Sequence, residues 1–241
     1  ITQEQDQFLP DEALLTAVRI TNLSGQTLHL WQEQNWLTFS VQSRGEEIVP
    51  AIAEVPAMGE VVLEPSRVAT KRVVLTPYFS LPGSGRYSVT ATVRIKAWKQ
   101  EMVSPPKNFD IIQAAKLWEQ EIGVPNSAGL TNGTPEVRKF ILQQANYLKA
   151  RLRLYVRVTD GSGAKTFRVF AVGPMVSFGH PEPQVDKFSN LHLLYQEGAH
   201  SFRYVVINPD GEIIARQIYD YVDKRPRLQP GTNGKILVAG G

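Results

Sequence analysis

Tyr87-Ser88-Val89-Thr90-Ala91-Thr92-Val93-Arg94-Ile95-Lys96-Ala97 alternates apolar and polar side chains without a break. A period of two puts Tyr87, Val89, Ala91, Val93, Ile95 and Ala97 on one face of an extended chain. Ser88, Thr90, Thr92, Arg94 and Lys96 fall on the other, as in a strand with one face in a core and one in water. Around it, residues 15–23, 27–31, 37–41, 61–63, 72–75 and 109–112 read the same way, separated at short intervals by turn-forming residues. About seven strands in about 110 residues predict a β-sandwich over residues 8–113.

The second half repeats the theme. Residues 137–149 carry Ile141, Ala145 and Leu148 at helical spacing, but Phe140, Leu142 and the alternation from Leu152 to Val158 favour extended chain. Further strands are predicted at 152–159, 166–172, 190–196, 201–208 and 212–222, with Asp160-Gly161 and Asp210-Gly211 where tight hairpin turns belong. Residues 114–135 break the pattern: Gly123, Pro125, Gly129, Gly133 and Pro135 predict a connector, with Trp118 packed on a flanking domain. The expected fold is all-β, with two β-domains, 8–113 and 136–241, the second an antiparallel sheet or sandwich.

Leu75-Thr76-Pro77-Tyr78-Phe79-Ser80-Leu81-Pro82-Gly83, followed by Gly85-Arg86-Tyr87-Ser88-Val89, resembles the late hairpin of immunoglobulin-like sandwich domains in bacterial envelope proteins. Asn22-Leu23-Ser24-Gly25 after an apolar strand resembles the first hairpin of such domains and of BsuPI-type proteinase inhibitors. The resemblance covers roughly residues 10–113 and implies an immunoglobulin-like sandwich. The cysteine pair of antibody-type domains is missing, so nothing about antigen-like recognition follows. Asp186-Lys187-Phe188-Ser189-Asn190-Leu191-His192-Leu193-Leu194-Tyr195, with Asn208-Pro209-Asp210-Gly211-Glu212 after it, resembles the four-stranded blades of sialidase-like β-propellers. Residues 151–222 suffice for one or two blades, and a closed propeller needs at least about four, so no sialidase residue carries over.

Composition sets wide bounds. With 42% hydrophobic and 20% charged residues the chain has the make-up of a globular protein. No apolar run approaches the roughly 18 to 20 residues that cross a bilayer, so membrane insertion is not expected. Residues 1–113 hold 10 Lys and Arg against 12 Asp and Glu, net −2, whereas residues 114–241 hold 16 against 11, net +5. An electrostatic partner is therefore expected at the second half, but a basic excess this diffuse argues against nucleic acid. The start at Ile1, followed by residues rich in Gln, Asp and Glu, is what is expected after a removed export signal or at an artificial boundary. Asn22-Leu23-Ser24 and Asn132-Gly133-Thr134 match a glycosylation pattern short enough to arise by chance.

Chemistry-bearing motifs are mostly missing. There is no Gly-x-Ser-x-Gly elbow, no His-Glu-x-x-His and no dinucleotide fingerprint, and Gly231-Thr232-Asn233-Gly234-Lys235 lacks the spacing of a phosphate loop and reads as a turn. His180, Asp186, His192 and His200 offer no i, i+2 or i, i+4 pair to start a metal site, although Asp186 and His192 can meet if the chain folds back. Glu119 with Glu121, and Glu182 with Asp186, are the acid pairs within reach of general acid–base work, with solvated surface acids as the alternative. The candidate binding site is the polar face of 151–159. With Leu152, Leu154, Val156 and Val158 inward, Arg151, Arg153, Tyr155 and Arg157 line the outer face, extended by Arg168 on the neighbouring strand. Guanidinium groups beside a phenol suit carboxylates, phosphates or sulfated glycans. The competing reading is a solvated strand face partnered by acids such as Glu212 or Asp220. Tyr219 to Arg227 mixes tyrosines and basic residues in the manner of an interface or of an ordinary strand end.

These features predict a non-catalytic binding or structural module of an exported bacterial protein, without cofactor or metal, whose partner is a protein or polysaccharide of the cell envelope. The alternatives are a carbohydrate- or anion-binding module using the arginine face, and a proteinase inhibitor.

Overall fold

Alternation becomes strand almost throughout, and no α-helix occurs among the described residues, so the all-β class holds. The computed structural model describes residues 1–30, 35–56, 61–81, 83–95, 98–124, 136–148 and 151–241. The chain divides into two units, Ile1–Gln113 and Ala114–Gly241.

In the first unit the strands are β1 (Thr2–Gln3), β2 (Gln7–Phe8), β3 (Leu15–Thr21), β4 (Leu28–His29), β5 (Leu37–Ser43), β6 (Ile48–Val49), β7 (Val62–Leu63), β8 (Val68–Val74), β9 (Gly85–Ile95), β10 (Gln100–Val103) and β11 (Lys107–Ile111). One sheet runs β1-β3-β8. A larger one runs β2-β11-β9-β5-β6, with β10 also paired to β9, and β4 pairs with β7. The alternation read at residues 87–97 is realised in β9, where Tyr87, Val89, Ala91, Val93 and Ile95 are all buried; Lys96 and Ala97 lie outside the described residues. These side chains meet Val18 of β3, Val73 of β8 and Leu63 of β7, so the apolar faces of the sheets share one interior. Phe109 stacks on Tyr87 at 5.7 Å, and Phe8 meets Phe109 edge-on at 6.1 Å. Asn22 follows β3 and is buried. Its amide donates to the Gln26 and Leu63 carbonyls at 2.6 and 2.8 Å, while its Oδ1 accepts from the Ser24 amide and hydroxyl.

In the second unit the strands are β12 (Ala115–Val124), β13 (Glu136–Tyr147), β14 (Arg151–Asp160), β15 (Thr166–Pro174), β16 (Glu182–Val185), β17 (Leu191–Gln196), β18 (Ser201–Ile207), β19 (Ile213–Asp220), β20 (Arg227–Pro230) and β21 (Ile236–Ala239). They form two antiparallel meanders of four, β12-β13-β14-β15 and β16-β17-β18-β19, and the hairpin β20-β21. Two sequence expectations change. The connector predicted over 114–135 is strand from Ala115 to Val124, paired along β13 with a bulge at Lys116/Trp118; residues 125–135 lie outside the described residues. β12 is an edge strand in which only Ile122 is fully buried, so its polar side chains and Gly123 hid it; Trp118 packs on the core beside that strand. The β20-β21 hairpin was not predicted at all.

The two meanders face one another through Phe140, Leu142, Leu154, Val156 and Val158 on one side and Leu191, Leu193, Tyr195, Val205 and Ile207 on the other. The reverse face of β17 and β18 is covered as well, where Leu194, Phe202, Tyr204 and Val206 pack against Leu228 with Ile236 and Val238. Both Asp-Gly pairs sit in the predicted hairpins: the Asp160 carboxylate accepts from Ser162 Oγ and Lys165 N, and Gly211 takes a left-handed φ of 79°. Gly231 to Lys235 is the turn between β20 and β21, with a short 3-10 segment at Thr232–Gly234.

Tyr195 is the polar intruder in the central layer. Its hydroxyl is buried without a hydrogen-bond partner among the described residues, and burial pushes the phenol's pKa up. A methyl group at Gly173 would lie 2.5 Å from that oxygen. Gly173→Ala is therefore expected to cost about 1–3 kcal/mol in urea unfolding through overpacking. Tyr195→Phe should be neutral or stabilising, since it removes an unsatisfied buried hydroxyl. The double variant should recover most of the loss, a coupling read from the double-mutant cycle.

Candidate functional site

The arginine face predicted on β14 is not an open surface. Leu154, Val156 and Val158 do point into the core between the meanders, as the alternation required. Tyr155, on the reverse face, is itself 0% exposed, so β14 is buried there too. Arg157 donates from Nε to Gln143 Oε1 at 3.3 Å and from a terminal nitrogen to Thr166 Oγ1 at 3.1 Å. The Arg153 guanidinium lies 3.5 Å from the centre of the Tyr147 ring. Arg153, Tyr155 and Arg157 are occupied within the fold, and of the four predicted residues on β14 only Arg151 is exposed. Arg168 pairs with Val158 in the β14-β15 register and therefore shares the face of Val158, on the opposite side of the sheet from Arg157. The five predicted residues do not form one site. Period-two alternation says which residues share a side, but not whether that side is wet. The acids expected opposite them lie elsewhere: Asp220 is in β19, and Glu212 accepts from Asn208 Nδ2.

Arg168 instead lines a groove of about 650 Å³ between the edge strands β15 and β19, with Phe170 beside it and Arg216 across it. The Arg168 guanidinium lies 5.5 Å from the Phe170 ring centre. Among the described residues neither arginine has an acidic partner.

Asp186 and His192 do meet, through a reversal in the turn that joins β16 to β17. Asp186 Oδ1 accepts from the amides of Phe188 and Asn190, and Oδ2 from Asn190 Nδ2 and from His192 at 3.1 Å. The other ring nitrogen of His192 lies 2.6 Å from Tyr204 Oη. A neutral imidazole satisfies both contacts, with Nε2–H donating to the carboxylate and Nδ1 accepting from the phenol. Burial acts to raise the Asp186 pKa. The Asn190, His192 and Phe188 donors outweigh it and hold the carboxyl below its ordinary range. Burial pushes the Tyr204 phenol up.

This row of three polar groups is enclosed within the fold. His192 and Tyr204 are buried, Tyr204 against the β20-β21 hairpin, and among the described residues no three His, Asp or Glu side chains converge to hold a metal. The remaining acids are similarly committed. Glu119 pairs with Lys116 at 3.0 Å, Glu121 with Lys139 at 3.3 Å, and Glu182 accepts from the Leu228 amide at 3.1 Å. In the tail, Tyr219 packs edge-on against Tyr204, and Arg225 lies over Phe202.

The concave feature that sequence reasoning missed is in the first unit. A groove of about 420 Å³ opens between β3 and β10, floored by Val18, Ile20, Val93, Ile95 and Trp98. Met102 pairs with Val93 and so shares its core-facing side of the sheet, yet it is 59% exposed. Among the described residues Arg19 is the one charged residue along the groove, and its exposed side chain lies on the face of β3 opposite Val18 and Ile20. The one sequence signal for this site was an exposed apolar pair, Met102-Val103, next to a Pro-Pro break at Pro105-Pro106.

No family model matches the chain, and neither a curated protein nor a solved structure matches it.

The lowered Asp186 pKa fixes a pH dependence. A carboxyl whose folded pKa lies below its unfolded value of about 3.9 adds stability above that value and loses it as pH falls through the folded pKa. Asp186→Asn is expected to be less stable than the parent at pH 7, and the gap should narrow as the pH is lowered below about 3.9. Urea midpoints measured across that range read it.

Proposed function

We propose that the chain is a non-catalytic binding module of an exported bacterial protein, meeting a protein or polysaccharide of the cell envelope outside the cytoplasm. One observation carries the reading: the groove of the first unit leaves a core-facing side chain, Met102, 59% exposed over an apolar floor. Buried apolar surface is worth about 25 cal/mol per Å², so an uncovered core face is a standing driving force for a partner. The exported setting is supported by the likeness of residues 10–113 to immunoglobulin-like envelope domains. An immunoglobulin-like arrangement is supported further by two sheets sharing a core, antiparallel apart from β2 against β11, with the N-terminal chain contributing a strand to each.

The test is saturable binding of the apolar dye Nile red. We expect blue-shifted, one-to-one binding that weakens at least tenfold in Met102→Glu while circular dichroism stays unchanged. Absence of any saturable binding overturns the reading.

A second reading, anion or sulfated-polysaccharide binding, is favoured by the Arg168–Arg216 groove and no longer by the β14 face. On immobilised heparin, Arg168→Ala/Arg216→Ala should elute at lower salt than the parent. Equal elution removes this reading. The proteinase-inhibitor alternative rests on the sequence likeness alone.

A further inference from the structure

The N-terminal chain changes sheets. At β2 it lies outside β11, in parallel pairing at Gln7 with Asp110 and Phe8 with Ile111. At β1 it has crossed to the other sheet, pairing Thr2 with Ala17 and Gln3 with Thr16. β10 and β11 both flank β9 on the side away from β5, so they form two halves of one sheet edge. β2 covers the β11 half. Among the described residues no strand lies outside β10, whose four residues are all exposed.

An uncovered edge offers a row of backbone donors and acceptors, and here an apolar groove lies beside it. Soluble proteins commonly blunt such edges with lysine, proline or a bulge. Gln100 to Val103 has none of these; the strand is short and carries Glu101, whose ion pair with Arg94 is turned away from the core-facing Met102.

We propose, building on the binding reading above, that the groove's occupant is an extended segment of another polypeptide. It adds as a strand along β10, in line with β2. Backbone hydrogen bonds to β10 supply register, and alternate apolar side chains enter between Met102, Val93 and Ile20. The partner is thus an extended chain of alternating apolar and small polar residues. The continuity with β2 argues for a strand over a compact apolar ligand.

The experiment uses the full chain and a fluorescein-labelled peptide, Thr-Val-Thr-Val-Asp-Val-Thr, followed by fluorescence anisotropy. Two analogues carry backbone N-methyl groups on alternate residues, one in each frame. A strand presents its N–H groups alternately to its two sides, so methylation in one frame blocks the ladder and in the other spares it. We expect saturable binding, loss of at least tenfold in one frame only, and a comparable loss in Met102→Glu. Nile red binding without peptide binding, or equal binding of both methylated frames, overturns strand addition and leaves the apolar groove standing. Failure of both Nile red and peptide removes the two together. A concentration-dependent dimer that dissociates in Met102→Glu would show that β10 pairs with a second copy, and would overturn a foreign strand.

Discussion

The second unit is organised by the need to keep β17 dry on both faces. Leu191, Leu193 and Tyr195 face the first meander, while His192 and Leu194 face the β20-β21 side, and all five are buried. A strand covered twice cannot stand in a two-layer domain, so a third layer, the small hairpin, must follow. The same requirement accounts for the polar contacts around His192. A buried imidazole needs partners for both nitrogens, and Asp186 and Tyr204 provide them from the neighbouring turn and strand. An Asp–His–Tyr row that looks like machinery is thus the satisfaction of a buried ring.

The first unit solves its core differently and less completely. Its N-terminal chain serves two sheets in succession, and each receives only two residues of strand from it. Most of β9 is covered by this arrangement, but beside β10 the interior opens onto the groove. Burial thus falls off along one sheet, from Phe109 at 1% exposed in β11 to Met102 at 59% in β10.

Strand positions were legible where alternation was strong and one face was dry. β9, β14 and β18 fall where the pattern put them, and the choice of strand over helix for 137–149 holds as β13. β12 and the β20-β21 hairpin escaped because edge and covering strands bury few residues, and mixed polarity without strict alternation looks like loop. The candidate site was the least legible part. Arg153, Tyr155 and Arg157 were placed on the correct side of β14, but the covering of that side depends on contacts distant in sequence. Arg168 was assigned by strand adjacency, and a bulge in the β14-β15 register with pairing to Val158 sends it to the other side. The β10 groove is walled by β3 and β10, which are distant in sequence, and no local pattern encodes their approach.

The saturated amide of Asn22 has a consequence for how this chain matures. A sequon whose acceptor nitrogen is already spent on two carbonyls inside a closed turn offers nothing to a glycosyltransferase once the domain has folded. Sugar can be attached there only to a chain that has not yet closed around Gln26 and Leu63, and a chain so marked could not close that turn. In a host that glycosylates during translocation, folding and modification at this position become competing, mutually exclusive fates. The yield of native protein would then be set by which of the two is faster.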